Sequence, residues 1–194
     1  MTDETTIQAA QSGDQEAFKE LVRKYEQKVA TTVIGMLGPG PEAEDVGQEV
    51  FIRFYQTMDR FRGESSLGTY LTRIAINLSL NAIKRRKRRR LLFWDSPVEI
   101  IPDLSNSDSS GMAEEDRELV RKAIEKLDPA FRSVVVLRMM QGYSTRETAE
   151  ILKIPEGTVL SRLARAQQKL KILLSPHFGA DYERDHSRVA ASVV

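Results

Sequence analysis

The chain has 194 residues, of which 41% are hydrophobic and 29% charged, enough apolar material for one or two packed cores. It has no cysteine and only two histidines, His177 and His186, which excludes disulfides, iron–sulfur clusters and thiolate zinc sites. No apolar run approaches the roughly 20 residues needed to cross a bilayer, and the start MTDETTIQAA lacks the basic and apolar stretches of a secretory signal.

In chain order, Asp14 is expected to cap a first helix that carries Ala17, Phe18, Leu21, Val22, Tyr25 and Val29 at helical spacing. GPGP at 38–41 must end it, because proline removes a donor and glycine weakens a helix. Pro41 then opens a second helix with Glu42, Glu44 and Asp45 near its positive end, and Val46, Val50, Phe51, Phe54 and Met58 inward. After a turn at 61–66, a third helix buries Leu67, Leu71, Ile74 and Leu78 and runs out into KRRKRRR, 84–90. Residues 95–111, rich in Ser, Asp and Pro, read as a linker. A helical pattern resumes at Met112 and continues to Leu127, and Asp128-Pro129 starts another helix that Gly142 ends. VVVL at 134–137 has strand propensity, but its flanks favour a helix.

The net charge of +1 conceals alternating blocks. Residues 1–60 carry −5, 61–90 carry +8, 91–116 carry −7, 117–174 carry +6 and the tail −1. Two basic blocks around an acidic one suggest two polyanion contacts with a spacer that avoids polyanions.

The sharpest local pattern lies in residues 143–170. Ser144 and Glu147 form a capping box for a short helix, Thr145 to Leu152. Lys153, Ile154 and Pro155 make a tight turn, and a longer helix begins near Glu156 with Val159, Leu163, Ala166 and Leu170 inward. Ala149 lets the two helices approach. This is a helix-turn-helix, and Thr158, Ser161, Arg162 and Arg165 are left on the face that would enter a major groove. A helical hairpin with a solvated polar face is the plain alternative. For the run 84–90 the alternatives are a solvated helix end, a membrane-surface patch and a phosphate-binding segment; the bulky apolar residues follow the cations instead of interleaving with them, which favours phosphate.

Together, SGDQEAFKELVRKY, EAEDVGQEVFIRFY, FRGESSLGTYLTRIAINLSLNAIKRRKR and the segment from Leu127 to Leu170 resemble, in that order, a bacterial sigma factor of the extracytoplasmic-function (ECF) group. The resemblance spans about 12–174. It implies an all-α chain of two small helical domains joined by a flexible acidic linker: region 2 at 1–90, linker at 91–111 and region 4 with the helix-turn-helix at 112–174; the tail at 175–194 lies outside the resemblance and is expected to be mobile. It implies binding of core RNA polymerase, through the β′ clamp helices at Asp45, Gln48, Glu49 and Phe51 and through the β flap at region 4. It also implies promoter recognition. The −10 element falls to Phe61, Arg62, Gly63, Ser65, Ile74, Asn77, Asn81, Lys84, Arg85 and Arg86, and the −35 element to Thr158, Ser161, Arg162 and Arg165. No catalysis, cofactor, metal or membrane insertion is implied, the place of action is the cytoplasm, and an anti-sigma factor is a partner common in the group. Four positions depart from the pattern: Gly47 in mid-helix, Tyr70 and Thr72 in the melting segment, and Leu160 where a cation is usual. A helix-turn-helix regulator that works without polymerase leaves 42–55 and 61–83 unexplained. A small recombinase would need a nucleophile and a carboxylate or histidine cluster that the basic segments do not supply.

Overall fold

The computed structural model describes the backbone of residues 3–92 and 114–191, and side chains for 3–89 and 114–177. Among these residues there are eight α-helices and no strand: α1 (Asp3–Gln11), α2 (Gln15–Leu37), α3 (Pro41–Thr57), α4 (Leu67–Leu92), α5 (Glu114–Glu125), α6 (Pro129–Val135), α7 (Thr145–Leu152) and α8 (Glu156–Ala191). The expected linker lies almost wholly outside the described residues.

The expected helix boundaries hold for physical reasons that can be seen in place. Asp14 accepts hydrogen bonds from the Glu16 and Ala17 amides at the start of α2. Gly38, at φ 80, ends α2 by returning its amide to the Ile34 carbonyl, a backbone turn that glycine adopts without strain. Pro41 occupies the first turn of α3, with Glu42 and Glu44 beside it. At α6, Asp128 stands in the cap position but makes no side-chain cap. Its carboxylate instead reaches Lys169 of α8 at 2.6 Å, and that hydrogen bond and charge hold it below the usual carboxylate range.

Three features depart from the expectation. A helix, α1, precedes Asp14 and buries Thr6, Ile7 and Ala10. Asp3 pins it to α2 by accepting from Lys24 and Tyr25; burial pulls the Asp3 carboxyl up, and these two donors outweigh it. The VVVL segment is helical, but after Val135 it widens into a π-helical turn, Val136–Met140, closed by the Gln141 amide on the Val136 carbonyl at 3.0 Å. And α8 continues as helix through Pro176 to Ala191, into the tail, where no helix is expected from the sequence.

Packing divides the helices into α1–α4 and α5–α8. Leu21, Val33, Met36, Val50, Phe54, Leu71 and Ile76 fill the N-terminal core. Ile124, Leu127, Val135, Ala166 and Leu170 form a second cluster, and Val134, Ala149 and Val159 a third. Ala149 is thus the small residue at the crossing of α7 and α8. The two units touch: Val136, Leu137, Tyr143 and Ile151 of the C-terminal unit are buried in the N-terminal core.

Candidate nucleic-acid and polymerase interface

On α3, Asp45, Gln48, Ile52 and Tyr55 recur at three- and four-residue steps and form one exposed stripe. Ile52 and Tyr55 are 49% and 59% exposed, large apolar surface on an otherwise polar face. Sequence reading missed both; their spacing from Gln48 was the available signal. The Tyr55 ring stands edge-on to Phe18 at 5.0 Å, which orients it. Glu49 is half-buried and accepts from Arg53 Nε at 2.8 Å, so its charge is partly engaged within the helix. Phe51 is half-buried and packs on the core. Together with Gln48 and Gly47 it lines a cleft of about 350 Å³ between α2 and α3, whose other walls include Val22, Glu26, Ile34 and Glu44. A Cβ on Gly47 would touch nothing within 4 Å, so the glycine widens the cleft without any packing requirement.

The turn after α3 is anchored by aromatics. Phe61 is half-buried, with its ring against Phe54 at 6.5 Å and Tyr70 at 5.1 Å. Tyr70 is in turn fixed by a 3.0 Å hydrogen bond between its hydroxyl and that of Thr57. Phe61 therefore holds the turn in place, while Arg62 and Gly63 are exposed and Ser65 half-buried. Ser66 caps α4 by accepting from the Thr69 amide at 3.2 Å.

Along α4, Ile74, Asn77, Asn81 and Lys84 follow one another on a single helical stripe. Ile74 is half-buried; Asn77, Asn81 and Lys84 are exposed. Two amides, each able to donate and accept, thus precede the cations on the same face. Arg85 and Arg86 turn toward the other side. Arg86 Nε reaches Glu42 at the start of α3 at 2.8 Å, and Arg85 Nη2 reaches the same carboxylate at 3.4 Å. They brace α4 on α3 while their side chains remain about half exposed, 57% for Arg85 and 46% for Arg86. Lys87, Arg88 and Arg89 are exposed.

The helix-turn-helix forms as its residues dictate. The Ser144 hydroxyl accepts from the Glu147 amide at 3.2 Å, and the Glu147 carboxylate accepts from the Ser144 amide at 2.8 Å. These bonds from Ser144 hold the Glu147 carboxyl below its ordinary value. Lys153 at φ 54 makes the turn, and Val159 is fully buried. On the outer side of α8, Ser161 and Arg165 are exposed, one helical turn apart, and Thr158 and Arg162 are half-buried. The Ser161 hydroxyl donates to the Thr158 carbonyl at 3.1 Å, leaving its lone pairs for an incoming donor. Leu160 is 55% exposed, so it faces solvent and does not rotate into the core.

Among the described residues no cluster of His, Asp or Glu could hold a metal ion, and no helix is long and apolar enough to cross a membrane.

Comparison with known proteins agrees with this layout. The family model Sigma-70 region 2 matches residues 21–89, and Sigma-70, region 4 matches residues 117–170. The chain is 35% identical over 184 residues to the ECF RNA polymerase sigma-E factor of Escherichia coli (strain K12), covering 91% of this chain and 96% of that protein. It is 32% identical over 185 residues to the RNA polymerase sigma-H factor of Pseudomonas aeruginosa, covering 90% and 94%. Among solved structures, CnrH in complex with the cytosolic domain of CnrY superposes with a TM-score of 0.67 at 26% identity, covering 90% of this chain and 98% of that one. The sigma factor RpoE of Bartonella quintana, solved with the anti-sigma factor NepR, shares the fold at a TM-score of 0.66 and 23% identity, covering 81% and 96%.

Proposed function

This chain belongs to the extracytoplasmic-function group of RNA polymerase sigma factors, and from that premise we propose that it binds core RNA polymerase, directs it to promoters through −10 and −35 contacts and helps to open the duplex. The single observation that carries the reading is the succession, in one chain, of the exposed α3 stripe, the amide-and-cation face of α4 and the helix-turn-helix of α7–α8.

Each surface suits one task. The stripe of Asp45, Gln48, Ile52 and Tyr55 mixes apolar area with acid and amide, as a protein-binding face does. Asn77 and Asn81 can read the edge of an unstacked base, and the cations that follow neutralise backbone phosphate without choosing sequence. The turn at Arg62 to Ser66 leads directly into the same helix and is held by Phe61. Ser161 and Arg165 can reach base edges or phosphate in a major groove, and Leu160 offers an apolar contact to a thymine methyl. The domain division proposed is region 2 at 1–90, linker at 91–111 and region 4 at 112–174. The chain acts in the cytoplasm, performs no catalysis itself and is held in check by an anti-sigma factor, as CnrH and the Bartonella quintana factor are seen bound to partners.

The test is transcription in vitro from a promoter library by core polymerase with and without the chain. The chain is expected to select a bipartite −35/−10 sequence. Equal transcription of all members would overturn the reading.

A further inference from the structure

The outer side of α8 carries two rows of different chemistry. Ser161 and Arg165, exposed and one turn apart, form a polar row. Beside it run Gly157, Leu160 and Ala164, at steps of three and four residues, all exposed and none with a side-chain donor or acceptor. Leu160 leaves 55% of its surface in solvent. The core does not need it, because Val159 and Leu163 take the inward places on α8. A Cβ on Gly157 would meet nothing within 4 Å, so the row starts on bare backbone and the approach to Leu160 is open.

The setting of this apolar row is that of a polyanion surface. Residues 117–174 carry a net charge of +6, and Arg162 and Arg165 follow Leu160 within five positions. In a helix-turn-helix the second helix lies in the major groove with its N-terminal residues on base edges, and Leu160 is the fifth residue of α8. Of the groups that bases present in that groove, only the C5-methyl of thymine is apolar. A leucine set against guanine O6, adenine N6 or cytosine N4 strips water from a polar edge and returns no hydrogen bond. Against the methyl, both partners leave water at no such cost. Ser161 favours the same pair. Its hydroxyl proton goes to the Thr158 carbonyl at 3.1 Å, so its outward lone pairs accept from an exocyclic amine, such as the N6 of the adenine opposite a thymine. From Leu160 to Ala164 the helix rises about 6 Å, close to two base steps of about 3.4 Å.

We propose that Leu160 selects pyrimidines that carry a 5-methyl group in the −35 element: thymine over cytosine, and 5-methylcytosine over cytosine. The proposal deepens the −35 reading given above and rests on it. A cation at this place would seek guanine or phosphate; the leucine makes the site depend on a methyl group instead. Cytosine methylation at the position that Leu160 covers therefore strengthens the site.

The test uses core polymerase with the full chain and duplexes carrying the −35 element selected from the promoter library. Each −35 thymine in turn is replaced by uracil, which lacks the methyl and keeps every hydrogen-bonding group. At one thymine, uracil is expected to weaken binding about fourfold, the effect of exposing one methylene-sized apolar group. Cytosine and 5-methylcytosine at that place should differ by the same factor. Leu160→Ala, at an exposed position and with helical content checked by circular dichroism, should bind the paired duplexes alike. Loss of a methyl also alters duplex stiffness, but equally for both proteins, so the difference between them isolates the contact. A selected −35 element without thymine, uracil tolerated at every position, or a methyl preference that survives in Leu160→Ala would overturn the proposal. So would a variant weakened evenly on all duplexes, which makes Leu160 a backbone contact, or one that loses only its affinity for core polymerase, which makes it a protein contact. Absence of any −35 preference in the wild type defeats the −35 reading itself, whereas a selected element that is blind to methyl groups defeats only this proposal.

Discussion

Asn77 and Arg165 carry the sequence-reading part of the account, because each is exposed on the stripe that would meet a base. Asn77→Ala is expected to relax preference at one −10 position by about 1–3 kcal/mol, the worth of a good amide–base pairing. Transcription from four promoters differing only at that base measures it; a parallel fall at all four would make Asn77 a structural or backbone residue. On α8, Leu160 has no donor, so in the function proposed here guanine recognition is expected of Arg165 and Arg162. Leu160→Arg, at a position already facing solvent, should raise general affinity for duplex without loss of fold, as read by binding to randomised −35 DNA. The two exposed apolar residues of α3, Ile52 and Tyr55, show what residue-level reading lacks. A polar helix face looks solvated in sequence, and only the packed neighbours show which apolar side chains remain outside.

Helices whose ends are encoded locally are legible in the sequence alone. The capping box, the Pro41 start and the GPGP break each satisfy or remove specific backbone groups, so a few adjacent residues suffice. α1 is not legible in this way because nine residues do not hold a helix alone; Asp3 anchors it to Lys24 and Tyr25, far along the chain. The π-helical turn has the same origin, as its buried Val136 and Leu137 pack into the N-terminal core. For the capping box, Ser144→Ala should cost about 1 kcal/mol by denaturant unfolding. The depressed Glu147 carboxyl contributes stability that is present above its ordinary value of 4.5 and is lost as pH falls through its lowered native value, and Glu147→Gln should abolish that part of the acid dependence. Gly47→Ala meets no neighbour, so it should stabilise α3 by about 0.5–1 kcal/mol, while narrowing the cleft beside Phe51. A melting curve and a polymerase-binding titration on the same protein separate the two effects.

For the whole molecule, the alternation of charge blocks assigned the polyanion contacts to α4 and the helix-turn-helix. The structure divides the basic run further. Arg85 and Arg86 brace Glu42, whereas Arg88 and Arg89 lie farther out on the exposed end of α4. Neutralising Arg88 or Arg89 should therefore shallow the slope of log affinity against log salt by about 0.9 for duplex or 0.7 for single-stranded contact. Arg86→Ala should in addition loosen α4 from α3. The contact between the two units was beyond sequence reading, because Val136, Leu137 and Tyr143 are ordinary residues until their distant partners are known. The central claim, that this chain is a polymerase subunit and not a free-standing DNA regulator, is tested most directly by gel filtration of the purified chain with core RNA polymerase in the absence of DNA. The account predicts a one-to-one complex that is weakened when Asp45, Gln48, Ile52 and Tyr55 are changed to alanine. Separate elution of the intact chain and polymerase would contradict it.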